Sequence, residues 1–316
     1  MITPTLAAFA DVLAARLDGH AVVERDVAIA RFTTYRVGGP ASVFVRVDSV
    51  ATVTALAGVV AEYRPPLLVI GKGSNLLVAD AGFDGLALVL DGELAQLEID
   101  PDRGEVRAGA GVPLQSLARA TASAGQHGLE FFVGIPGTVG GAVRMNAGGH
   151  GSETGDRLVS VEVCALGERS VPETRTAESL GLRYRHSDLG PDEIVLSAVF
   201  ELTPAPVAEC EATIAEIVRW RKEHQPGGSN AGSVFRNPPG DSAGRLIDEV
   251  GLKGFRVGGA IVSAKHANFF QAEAGATADD VYRLVLEVRA RVLAATGIEL
   301  TPELRLLGFT EHEEQG

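Results

Sequence analysis

Phe131 to Gly151 reads FFVGIPGTVGGAVRMNAGGHG and carries seven glycines, at 134, 137, 140, 141, 148, 149 and 151. Glycine loses more backbone freedom on folding than any other residue. Such a density is sustained where φ must be positive or where the backbone must touch something closely. Flexible linkers are rich in serine and charge, whereas here Ile135, Pro136, Val139, Val143 and Met145 form an apolar frame. The stretch therefore reads as a loop pressed against a ligand, with N–H groups able to converge on an anion such as a phosphate.

Composition limits what that ligand can be part of. The 316 residues suffice for two domains, and 46% hydrophobic with 22% charged residues implies a packed core. A net charge of −13 argues against nucleic acid or an anionic membrane as partner. An anionic ligand then needs a local pocket lined by N–H groups or cations. Cys164 and Cys210 are too few for a disulfide framework and are not spaced as metal ligands, so buried thiols are expected. The opening MITPTLAAFADVLAARLDG has no basic residue before its apolar part and is interrupted by Asp11, so no signal peptide is expected. No apolar run approaches membrane-spanning length. These features predict a soluble, cytoplasmic protein with no nucleic acid and no membrane as partner; small-molecule substrates and a monomer or weak homo-oligomer are expected, the oligomeric state not being readable from composition.

Periodicity predicts an amphipathic helix over 5–18, a strand over 42–48, a helix over 49–63 started by Ser49 and stopped by Pro65 and Pro66, and a strand over 67–71. A second glycine-rich turn, GKGSN (71–75), follows that strand, and 85–90 is again strand-like. Such a turn at the carboxyl end of a strand is where α/β folds bind phosphate-bearing ligands. Neither standard nucleotide loop is present: the P-loop spacing fails at GKGSN, and GxGxxG is matched neither there nor at Gly134, Gly137 and Gly140. Strands are predicted over 94–100 and 105–109, a helix over 113–125, strands over 158–166 and 193–202, and a polar loop over 182–190. Pro204 and Pro206 suggest a domain boundary. Beyond it come helices over 207–224, 242–250 and 278–297, a loop over 227–240 with SVF as a short strand, and a last strand over 303–309.

No histidine pair has metal-ligand spacing on one helix, and Gly-x-Ser-x-Gly is absent, so no metal site and no standard hydrolase is expected. Ser233, in AGSVFRNP, reads as a reactive hydroxyl or as a turn serine bonding its own backbone. Arg185 in RYRHS reads as a functional cation or a surface one, and Glu303 in TPELRLL as a strand-end carboxylate. Taken singly, these three stay unassigned.

Taken in order, TTYRVGGPA, GKGSNLLVAD, GIPGTVGGAVRMNAGGHG, YRHS, GSVFRNP, AGRLIDEVGLKGFRVGGAIVSAKHANF and ELTPELRLLG resemble the UDP-N-acetylenolpyruvoylglucosamine reductases (MurB) of peptidoglycan synthesis, over roughly residues 31 to 308. The resemblance implies an α+β or α/β chain. Residues 1–203 would form an FAD-binding region of the vanillyl-alcohol-oxidase (PCMH) type, with subdomains about 20–88 and 89–203. Residues 204–316 would form an α/β substrate domain. It implies tightly bound, non-covalent FAD, with NADPH as hydride donor. The cofactor residues by motif are Gly71, Lys72, Gly73, Ser74, Asn75 and Leu76, then Gly134, Ile135, Pro136, Gly137, Gly140 and Gly141, with Asn146 and Gly148. The catalytic residues by motif are Ser233 as proton donor, with Arg185 and Glu303 stabilising an enolic intermediate. Tyr184, Asn237, Lys265 and His266 match substrate-contacting positions. An inserted tyrosine loop found after YRxS in one branch of the family is missing, as in the shorter, second type. Phe255 and Phe269 are the candidates to close over the uridine instead. The competing readings are another FAD-dependent oxidase or dehydrogenase on the same scaffold, and a binding module without chemistry.

Overall fold

The computed structural model describes residues 6–167 and 171–309. The chain packs into two compact units. The first draws on residues 1–26, 42–72 and 85–220, the second on 27–41, 73–84 and 221–316. Packing thus does not follow a single cut at 203–204.

In the first unit, two sheets carry two cores. A four-stranded sheet has the order Val23–Ala28, Pro40–Val47, Phe83–Leu90, Leu67–Ile70, and its last two strands run parallel. Helix α1 (Leu6–Arg16) buries Phe9, Ala10 and Leu13, while α2 (Val50–Tyr63) buries Val53, Leu56, Ala57, Val59 and Val60 in the same core. Burial of each valine or leucine contributes about 1.5–3 kcal/mol. The signals at the ends of α2 act as expected. Ser49 accepts from the Thr52 N–H, and Arg64 takes a left-handed conformation before the two prolines. The helix predicted over 5–18 stops at Arg16, and residue 5 lies outside the described residues.

The other sheet is antiparallel, ordered Glu173–Thr176, Leu158–Ala165, Glu193–Glu201, Glu105–Gly109, Leu97–Asp100. Its core includes α3 (Leu114–Ser123), α4 (Val139–Met145) and the first part of α5 (Val207–His224), through Leu117, Val143 and Ile214. Val23–Ala28, Glu173–Thr176 and α4 are among the elements that were not predicted. The strand predicted over 94–100 starts only at Leu97, because Leu94 and Ala95 belong to the 3-10 turn Gly92–Ala95, whose start is capped by Asp91. Cys164 and Cys210 are buried free thiols, as expected.

The second unit explains the unexpected division. Tyr35, Val37, Leu77 and Ala79 share one core with Phe235, Leu246, Val281 and Val285. Leu76–Val78 pairs in parallel with Arg305–Leu307, Leu76 opposite Arg305. A three-stranded antiparallel sheet, Arg256–Val257, Ala260–Val262 and Phe270–Ala272, accompanies α6 (Ala243–Glu249) and α7 (Ala278–Thr296). Predicted as strands, SVF and 303–309 reduce to the isolated bridges Ser233–Phe269 and Phe235–Pro302 and to the strand Arg305–Leu307.

The start of α7 is held twice. Thr277 and Asp280 form a capping box, and the Asp80 carboxylate, 198 residues before Ala278, accepts the N–H groups of Ala278 and Asp279 at 3.0 Å each. An Asp80→Ala chain is expected to lose about 1–2 kcal/mol in denaturant melts; an unchanged midpoint would show that the capping box suffices. Asp280 accepts the Gly259 N–H at 2.9 Å and the Thr277 N–H at 3.3 Å, and pairs with Arg283. Gly259 first, then Thr277 and Arg283, hold its carboxyl below the usual range. A depressed folded pKa stabilises the fold above the unfolded value of about 3.9 and is lost as pH falls through the folded one. Acid melts of Asp280→Asn should therefore begin less stable at neutral pH and lose less between about pH 4 and pH 2 than the parent. Parallel acid profiles would remove Asp280 from the account.

Candidate functional site

The glycine-rich stretch is a built structure rather than an open loop. A 3-10 turn, Glu130–Gly134, leads through Thr138 into α4. Asn146 ends α4 in a left-handed conformation, and a hairpin pairs Gly148–Gly149 with Ser152–Glu153. Several glycines serve packing. A side chain at Gly134 would meet the His150 ring at 2.9 Å, one at Gly140 the Ala110 Cβ at 3.0 Å, and one at Gly148 the Glu153 Cβ at 2.8 Å. The Gly140 N–H donates to Ala110 O and the Gly137 carbonyl accepts from Leu114. Asn146 is fully buried, and its amide is spent on Gly155 N and Arg183 O. The Gly140 N–H and the Asn146 side chain are thus already engaged within the chain. Gly141 differs: it is exposed, and a Cβ there would meet nothing nearer than Thr138 Oγ1 at 3.8 Å. Gly71 lies against the same threonine, since its Cβ would stand 2.4 Å from Thr138 Oγ1. Backbone at Gly71 and the turn at Thr138–Gly141 thus come together with no room for a side chain between them. Ile135 and Pro136 precede this turn. Lys72 is exposed.

In the second unit, Gly73 adopts φ +55° where a Cβ would strike Phe32 O at 2.2 Å. The Thr34 N–H donates to Gly73 O at 3.3 Å. The hydroxyls of Thr34 and Tyr35 are buried with no partner among the described residues. Ser74 follows, and the Asn75 carbonyl accepts the Arg305 N–H at 2.9 Å as Leu76 enters its strand.

Arg185 sits in a two-residue turn closed by the Arg183 and His186 backbones, which exchange hydrogen bonds of 3.1 and 2.9 Å. Its φ of +54° falls at the turn position that favours glycine. A non-glycine residue held there costs about 1 kcal/mol or more and persists where the side chain has a use. Its guanidinium lies 5.0 Å from the Tyr184 ring centre, and Nη2 donates to Gly148 O at 3.2 Å. Sequence reasoning missed Arg144, which ties this loop down. It donates to the carbonyls of Leu189, Gly190 and Glu193 at 2.9, 2.9 and 2.6 Å, while Ser187 Oγ donates back to Arg144 O at 2.8 Å.

Ser233 and Glu303 are brought together on neighbouring backbone. The Glu303 N–H donates to Val234 O at 2.7 Å, and the Arg236 N–H to Thr301 O at 2.9 Å. Buried Asn268, also missed, clamps the other side. Its carbonyl accepts from Val234 N, its Oδ1 from Phe235 N at 2.9 Å, and its Nδ2 donates to Phe235 O at 2.8 Å. The Arg236 Nε beside them is buried with no partner among the described residues. Asn237 accepts the Ala243 N–H at the start of α6. Lys265 reaches the carbonyl of Lys222 at 2.5 Å. His266 packs on Phe269, 4.7 Å between ring centres; burial, then the Lys253 charge, hold its imidazole below the usual range and so neutral. Phe269 is buried in that contact, and Phe255 lies under the Arg291 guanidinium at 4.1 Å, so either ring would leave its packing to cover a nucleotide.

Residues 41–168 match the FAD binding domain family, and residues 224–307 match the family described as UDP-N-acetylenolpyruvoylglucosamine reductase, C-terminal domain. The reductase of that name from Synechococcus sp. (strain WH7803) is 44% identical over 292 residues, covering 91% of this chain and 94% of the relative. The reductase from Caulobacter vibrioides is likewise 44% identical, covering 90% and 94%. The chain belongs to the UDP-N-acetylenolpyruvoylglucosamine reductase family. A crystal structure of the family's enzyme from Thermus caldophilus agrees, with a TM-score of 0.78 at 40% identity over 91% of this chain and 99% of that one. The residues present fit FAD, the cofactor of this family. Gly71 and Gly141 both approach the Thr138 hydroxyl and leave their own backbone without a side chain, which suits close approach of a diphosphate. At Gly73, the buried Thr34 hydroxyl awaits a partner.

Arg144 offers the clearest structural test. Removing it as Arg144→Met leaves three carbonyls without their charged donor and should cost about 2–4 kcal/mol. Hydrogen exchange should speed up in residues 182–193 while Leu158–Ala165 stays protected. Unaltered exchange in the loop would show that Arg144 does not hold it.

Proposed function

We propose that this chain catalyses the NADPH-dependent, FAD-mediated reduction of UDP-N-acetylglucosamine enolpyruvate to UDP-N-acetylmuramate, in peptidoglycan precursor synthesis. The observation that carries this is the family match at 44% identity over nine-tenths of the chain, with Ser233, Arg185 and Glu303 standing at the family's motif positions. FAD, when bound, supplies the hydride transfer, from NADPH and then to the methylene carbon of the enolpyruvyl ether.

The chain's own residues manage charge and protons. Hydride addition leaves an enolate, a strong carbon base, and the Ser233 hydroxyl delivers the proton to C2, recovering its own from solvent. Asn268 and the Glu303 N–H fix the backbone on either side of Val234, so the Ser233 hydroxyl starts from a defined place. Arg185 sets positive charge against the substrate carboxylate, and its strained turn presents the guanidinium without an entropic search. Glu303 stabilises the enolic intermediate either as a protonated acid or by hydrogen bonding to the enol, because a bare carboxylate facing the enolic oxygen would repel it. Tyr184, Asn237, Lys265 and His266 contact the sugar nucleotide. For Asn237 the Nδ2 is the contacting atom, since Oδ1 holds the Ala243 N–H. For Lys265 contact means exchanging the Lys222 carbonyl for the ligand.

Gly71 to Leu76 and Gly134 to Gly141 carry the diphosphate, with Gly148 further along. Residues 1–203 chiefly bind the cofactor, and 204–316 chiefly the substrate. Among the described residues no helix is long and apolar enough to cross a membrane. The protein works in the cytoplasm on small molecules, as a monomer or weak homo-oligomer.

Ser233→Ala separates the two half-reactions. NADPH should still bleach the flavin at the parent rate, whereas reoxidation by the enolpyruvyl sugar nucleotide under anaerobic conditions should fall by about 10²–10⁴-fold. Parent-like reoxidation would remove Ser233 from the mechanism.

A further inference from the structure

Away from these loops, three side chains of different chemistry meet within the first unit. His127 ends the short strand Gln126–His127, Glu130 opens the 3-10 turn, and Cys210 lies in the first turn of α5. One ligand atom from each lies within 4.8 Å of the other two. Glu130 and Cys210 are buried, whereas the His127 side chain is 49% exposed and opens the cluster to solvent. The backbone fixes their approach independently of anything bound. Thr203 pairs with His127 and Pro204 with Gln126, and the Ala205 N–H donates to Gly125 O at 2.9 Å just before α5 begins.

We propose that His127, Glu130 and Cys210 form a binding site for one zinc ion, completed by water on the exposed side of His127. The His127 Nδ1 and Glu130 Oε1 stand 3.1 Å apart. Two ligand atoms bound at about 2.0–2.1 Å to a tetrahedral zinc are roughly 3.3 Å apart, so one edge of the coordination polyhedron exists already. The ligand set is one thiol, one imidazole and one carboxylate, which suits zinc and not magnesium or calcium, whose ligands are oxygens. Charge supports the same choice. Zinc(II) with a thiolate, a carboxylate and a neutral imidazole sums to zero, the arrangement that a buried site tolerates.

Without metal the thiol stays protonated: burial first, then its hydrogen bond to the Glu130 carboxylate, push its pKa up. Zinc binding breaks the S–H bond, forms an S–Zn bond and releases one proton to solvent past His127. The bound ion would staple the first turn of α5 to the turn that leads into the glycine-rich stretch. There Gly134 already meets Ile217 of α5 and His150. Zinc would thus stiffen the approach to the cofactor loop without touching the reacting atoms.

The flavin-loaded chain, stripped of metal by a chelator, is titrated with zinc chloride by calorimetry in two buffers of different protonation enthalpy. One equivalent should bind with release of about one proton and raise the melting temperature. In Cys210→Ser the hydroxyl still donates to Glu130 but the soft ligand is gone. Zinc affinity should fall at least about tenfold there, with proton release and the melting shift abolished. His127→Ala should weaken zinc similarly, its zinc-induced melting shift being read against its own metal-free melting temperature because it also loses the 3.1 Å contact to Glu130. Magnesium chloride should bind to neither form. Absence of zinc binding, or equal binding by both variants and the parent, would overturn the site and leave Glu130 a hydrogen-bonded core carboxylate.

Discussion

Close backbone approach, with no side chain admitted between the partners, is the constraint on which the cofactor side of the protein rests. A Cβ at Gly71 or Gly73 would force Thr138 or Phe32 to shift, and one at Gly140 would press on Ala110. At Gly140 α4 fits against Ala110, and it buries Val139, Ala142 and Val143 in the antiparallel sheet's core. That seating in turn sets where Arg144 begins, and Arg144 sets the loop that carries Arg185. One steric requirement therefore passes from glycine to helix to guanidinium to the loop that carries Arg185.

The two clamps have a common logic. Arg144 holds the Arg185 loop through three backbone carbonyls, and Asn268 holds the Ser233 segment through three backbone groups. Neither is proposed to meet substrate. Polar side chains that bind backbone fix a loop more sharply than apolar packing does, because each bond specifies direction as well as distance. The protein is acidic overall, with net charge −13, so a cation proposed to meet an anionic substrate has to be local and held, as Arg185 is in its strained turn.

Much of this was legible in the chain. Ser49 and Gly297 mark the ends of their helices as capping rules require, and both glycine-rich segments announce themselves. The family's seven motifs carry the identity of the site. What escaped has physical reasons. Helix α4 contains two glycines, which propensity alone assigns to a loop, and its stability comes from burying Val139, Ala142 and Val143. Val23–Ala28 (VERDVA) and Glu173–Thr176 (ETRT) are polar sheet-edge strands without an alternating apolar face. Asp80, Asn268 and Arg144 act across long sequence separations on backbone groups, and no local pattern records such a partner. Asn146 shows the reverse limit: a motif residue whose side chain proves to be spent on Gly155 and Arg183. Tyr35 and Leu77 look like ordinary core residues until Phe235, Val281 and Val285, from far along the chain, join their core.

The central claim is that this chain passes a hydride from NADPH to the enolpyruvyl ether of a sugar nucleotide. The most direct measurement is anaerobic NADPH oxidation by the purified flavoprotein, with and without UDP-N-acetylglucosamine enolpyruvate. Sustained oxidation, one NADPH consumed for each UDP-N-acetylmuramate formed and none beyond the first turnover without the sugar nucleotide, is the predicted result. A flavin that NADPH reduces but that the sugar nucleotide leaves reduced would contradict it.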